Sequence, residues 1–94
     1  MTTLKKIEAF LENVPWTLVR LGNGKAAMIR LKGLECELRF ALQSLAEVIA
    51  TGDVSMEEVV APARKLERYL SLAQQKLVTL SLRMQEKEDL ANVV

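Results

Sequence analysis

Ninety-four residues, half of them apolar, set one domain with a modest core, near the size at which small folds lean on partners. Thirteen basic and twelve acidic side chains leave a net charge of +1, so there is no global pull toward nucleic acid, a membrane surface or an acidic substrate. The chain has no histidine, which removes the commonest general base and every Ser-His or Cys-His nucleophile pair, and its single cysteine excludes an internal disulfide.

The N-terminal stretch from Met1 to Glu8 lacks a continuous apolar core, so it does not read as a secretory signal. No apolar run approaches the ~20 residues that span a bilayer. The expectation is a soluble, cytoplasmic protein. Thr3 is the expected N-cap of a first helix running to about Asn13, with Leu4, Ile7, Leu11 and Val14 along one side. Pro15 is expected to end that helix, because proline supplies no amide hydrogen and restricts the residue before it.

The stretch from 16 to 31 admits two readings. In the preferred one Trp16 to Leu21 form a short helix, with Leu18 and Leu21 continuing the first seam. Gly22-Asn23-Gly24 then breaks the chain and a second helix starts at Lys25. In the alternative, an α+β fold, residues 16 to 31 form a β-hairpin with a three-residue loop at 22 to 24. Val19 would then face Ala27, and Gly33 would mark the junction with the helix.

Two long seams follow, and they decide the fold class as mainly α. Ala27, Leu31, Leu34, Leu38, Ala41, Leu45 and Val48 repeat at spacings of four and three, as do Val59, Ala63, Leu66, Leu70, Ala73, Leu77, Leu80 and Met84. Leu45 can be paired with Val59, Ala41 with Ala63, Leu38 with Leu66, Leu34 with Leu70, Leu31 with Ala73, and Ala27 with Leu77. Gly52 is the midpoint of every pair. This predicts an antiparallel helical hairpin turning at Thr51-Gly52-Asp53 and, with the N-terminal helix, a small helical bundle over residues 1 to 94. Ser55-Met56-Glu57-Glu58 is a capping box that opens the last helix, and Pro62 is expected to kink its first two turns.

At 1.5 Å per residue a helix from Met56 to Asn92 is about 55 Å long, against about 39 Å for one from Lys25 to Ala50. The last helix therefore overhangs its partner, and Leu72, Val78 and Leu82 are apolar positions off its seam. Either the first helix or a second copy of the chain must cover that end. Leu72, Leu77, Leu80, Leu82 and Met84 are accordingly candidate homodimer contacts. Trp16, the only tryptophan, is either a partner anchor or a cover for the open end of the hairpin.

Few residues suggest chemistry. Gly22-Asn23-Gly24-Lys25 invites comparison with a phosphate-binding loop, but the first glycine of that motif would fall on Val19 and its Ser or Thr on Ala26. Arg20, Lys25, Arg30 and Lys32 form a basic segment without an acid, a candidate anion-binding patch that also reads as a solvated face. Cys36 has no second cysteine with which to bind zinc. Glu57 and Glu58 are explained by capping, and Glu86, Glu88 and Asp89 by a solvated helix end. No cofactor, metal site or catalytic residue is expected.

The function read from these residues is a non-catalytic helical interaction module: an adaptor, assembly factor, chaperone or regulatory subunit that self-associates through its long C-terminal helix. One alternative is a small nucleic-acid-associated regulator using residues 20 to 32. Another is a compact helical enzyme that works by Arg and Lys electrostatics alone.

Overall fold

The computed structural model describes residues 2 to 52 and 54 to 93, with side chains described up to residue 87. Three helices, α1 (Thr3–Val19), α2 (Lys25–Thr51) and α3 (Met56–Val93), pack against one another, and there is no strand among the described residues. The chain is a small helical bundle, and the helical reading of 16 to 31 holds. Asp53 of the expected turn, and the side chains of Glu88 and Asp89, lie outside the described residues.

The hairpin forms as its seams require. α2 and α3 make the most extensive of the three helix contacts. Leu31, Leu38 and Leu66 are fully enclosed, Ala27, Leu34, Ala41, Leu45, Val59 and Ala73 are buried, and Ala63, Leu70 and Leu77 pack against them. Gly52 ends α2 with φ 76°, a left-handed conformation that glycine adopts without a Cβ penalty, and its amide donates to the Ile49 carbonyl at 3.1 Å. The reach-back half of the capping box is present, with the Ser55 amide donating to Glu58 Oε2 at 3.1 Å.

Three local expectations need correction. The N-cap of α1 is Thr2, not Thr3: its hydroxyl accepts from the Lys5 amide at 3.3 Å, and its carbonyl accepts from Lys6 at 3.1 Å. α1 does not stop at Asn13 but continues through Pro15 to Val19. Continuation buries Leu18 and, just beyond the helix, Leu21. At about 1.5 to 3 kcal/mol per leucine, that burial offsets the ~3 kcal/mol cost of an interior proline. Gly33 is no junction, since α2 runs through it. α3 likewise runs on through Pro62, whose ring is buried.

The 38 residues of α3 amount to about 57 Å of helix, matching the long dimension of the molecule, 61 Å. Beyond the N-terminus of α2, the end of α1 takes over as cover. Leu18 and Leu21 join Leu80 in the core, and all three line one hollow at the open end of the hairpin.

Candidate functional site

The residues singled out from the sequence do not converge on one place. Trp16 is 62% exposed, with the Arg20 guanidinium 5.4 Å from its ring centroid in a cation–π contact. It does not close the open end of the hairpin, where Leu18 and Leu21 stand instead. Among the candidate dimer contacts, Leu80 is buried and Leu77 and Met84 are half-buried, so Leu77 and Leu80 serve the core of the chain itself. Leu72 and Leu82 are exposed and, ten residues apart, stand roughly 80° from each other around α3. Val78 and Leu82, four residues apart, share a side and are about equally exposed.

The basic segment is also dispersed. Arg20 caps the end of α1. Lys25, Arg30 and Lys32 lie on α2, where Lys25 and Lys32, seven residues apart, share a side, while the two-residue step from Arg30 to Lys32 turns about 200° around the helix. Gly22 and Gly24 have φ of 76° and 85°, which makes the stretch between α1 and α2 a tight turn. Among the described residues no group of three or more Cys, Asp or Glu is placed to hold a metal ion, and no helix is long and apolar enough to cross a membrane.

Exposed apolar pairs also stand on α1 (Trp16 and Val19) and at the start of α3 (Met56 and Val60), but the longest exposed apolar stripe is the outward face of α2. Ile29 and Phe40 are 72% and 71% exposed. Eleven residues make close to three full turns, so the two side chains stand on one stripe with exposed Gly33 and Cys36 between them. Beside Phe40 a furrow runs between α1 and α2. One part, about 290 Å³, is lined by Ile7, Phe10, Phe40 and Ala41 together with Thr3, Lys6, Glu37 and Ser44, and the surface it exposes is mostly apolar. A second part of about 410 Å³ continues it past Val14, Gly33 and Leu34, and the two share Phe10 and Glu37.

The spacing Ile29, Gly33, Cys36, Phe40 carries the four-three-four rhythm of a helix seam. In the sequence that rhythm is overshadowed by the longer inward seam from Ala27 to Leu45 on the same helix. A second site-like hollow, about 310 Å³ between α1 and α3, is lined by Glu8, Glu12, Pro15, Pro62, Lys65 and Tyr69 among others, and its carboxylates are exposed. Such carboxylates lack the burial that acid–base catalysis draws on.

Comparison with known proteins returns no matching family model, no matching curated protein and no matching solved structure.

Proposed function

We propose that this protein is a non-catalytic helical interaction module whose docking surface is the outward face of α2 with the adjoining α1–α2 furrow. One observation carries the reading: Ile29 and Phe40 are both more than two-thirds exposed on a single stripe. Scattered apolar residues are normal on a protein surface, but two large ones in line beside an apolar furrow match the anchors of helix-in-groove recognition. The partner that fits is an amphipathic helix with apolar side chains on one face.

Capture from the native source, with Phe40→Ser as the control bait, tests the reading. The wild-type chain is expected to retain a partner that the variant loses, while both keep the same helical circular dichroism. Equal capture by both baits overturns it.

Self-association through α3 is a second reading, supported by the exposed Val78 and Leu82 pair. In that case Leu82→Ser, and not Phe40→Ser, is the variant that loses its partner. A nucleic-acid role is less favoured, because only Lys25 and Lys32 of the basic segment share a side of α2, and Arg30 lies on the opposite side.

A further inference from the structure

We infer that the outward face of α2 recognises a second copy of this chain, the two α2 helices packing antiparallel about a two-fold axis between residues 34 and 35. The inference rests on the interaction reading above and names its partner.

Residue order along the stripe is the first argument. With the axis at that point, Ile29 meets the partner's Phe40, and Phe40 meets the partner's Ile29. Gly33 meets the partner's Cys36. Large side chains thus stand at the two ends and small ones at the centre, the self-complementary pattern that an isologous interface requires.

Gly33 is the second argument. It lies inside α2 with ordinary helical backbone, and a Cβ built on it meets nothing within 4 Å. Glycine is the poorest helix former after proline, and nothing within the chain calls for one here. A close approach of a second helix, near the ~8 Å lower end of interaxial distances, does call for one.

Charge is the third. Arg30 and Lys32 precede the axis, and Glu35 and Glu37 follow it. Arg30 and Glu37, seven residues apart and both lining the furrow, share one flank of the stripe, and antiparallel pairing brings Arg30 beside the partner's Glu37, whereas parallel pairing would set like charges together. On the other flank Arg39 falls near the partner's Lys32, and Glu35 of its own chain, 3.3 Å away, offsets its charge. The stripe from Ile29 to Phe40 is only about 17 Å long. Even with the furrow, the contact stays at the low end of specific interfaces, near or below ~1,200 Å², the size of weak, reversible contacts.

Sedimentation equilibrium of the full chain, from micromolar to submillimolar concentration, tests this with two charge-reversed variants. Arg30→Glu with Lys32→Glu makes both halves acidic; Glu35→Lys with Glu37→Lys makes both basic. Each variant alone is expected to be a monomer, and their equimolar mixture a dimer. Circular dichroism confirms that each is folded. Phe40→Ser is expected to weaken the wild-type dimer at least about tenfold. Gly33→Ala is expected to raise the thermal midpoint of dilute protein while also weakening the dimer, a split that a purely structural glycine would not give.

A short bis-maleimide on Cys36, the only cysteine, gives a second readout on unmodified sequence. The two thiols lie within about 10 Å across the axis, so a covalent dimer is expected. A wild-type chain that stays monomeric, or charge variants that each dimerise like wild type, overturns self-recognition. If the wild type is monomeric while Phe40→Ser still abolishes capture of another protein, the self-recognition inference fails and the interaction reading stands. If Phe40→Ser changes neither assay, both fail.

Discussion

Pro15 of α1 and Pro62 of α3, the chain's two prolines, line the same cavity between their helices. Each lacks the amide that would donate to the carbonyl four residues earlier, so both helices lose a ladder hydrogen bond beside one hollow. The two sites differ in burial, since Pro15 is exposed and Pro62 is enclosed. Pro15→Ala restores an amide without removing core packing. It is expected to stabilise the fold by about 2 to 2.6 kcal/mol, the interior-proline cost less what the freer unfolded chain gains. Urea denaturation followed by circular dichroism reads the change, and a lowered midpoint would contradict it.

Leu38 and Leu66 test the hairpin register. Both are fully enclosed, so either one changed to Ala is expected to cost about 2 to 5 kcal/mol. If they pack against each other as the midpoint at Gly52 requires, the double variant departs from additivity by at least about 0.5 kcal/mol. An additive double-mutant cycle would place them in different layers.

Two glycines are expected to respond with opposite signs. Gly52 holds φ 76° at the end of α2, so Gly52→Ala forces a left-handed conformation and destabilises by about 1 to 2 kcal/mol. Gly33 is helical with open space around it, so Gly33→Ala stabilises the isolated chain by about 0.8 to 1 kcal/mol. Thermal melts of dilute protein compare them directly.

The hairpin was legible because Leu31, Leu34, Leu38 and Leu66 repeat at helical spacing and nothing local competes with them. α1 was legible only to Pro15. The local rule stops a helix there, and what carries it further is the burial of Leu18 and Leu21 against Leu80, a contact among residues about sixty positions apart. The same contact places Leu80 in the core of the chain itself, against which Leu77 also packs. The α2 face stayed hidden for a different reason. A seam search asks which residues face inward, and Ile29 and Phe40 already had a stronger inward seam on the same helix. Their exposure becomes visible only when α1 and α3 have taken their places and left that side uncovered.

The basic segment offers a prediction with a small expected effect. Arg20, Lys25, Arg30 and Lys32 are all exposed, and only Arg20 has a ring contact, so changing Lys25 and Arg30 to Gln is expected to shift stability by no more than about 0.5 kcal/mol. Duplex binding is expected to be weak and to show no steep dependence on salt. Submicromolar affinity that falls linearly with the logarithm of salt concentration would favour the regulator alternative.

Self-recognition through the α2 face is tested most directly by a dilution series of the isotope-labelled chain, following backbone amide shifts from micromolar to submillimolar concentration. The expected result is concentration-dependent shifts clustered at Ile29, Gly33, Cys36 and Phe40, with Phe10 across the furrow, while Val78 and Leu82 stay fixed. Shifts confined to Val78 and Leu82, or a spectrum unchanged across the series, would contradict it.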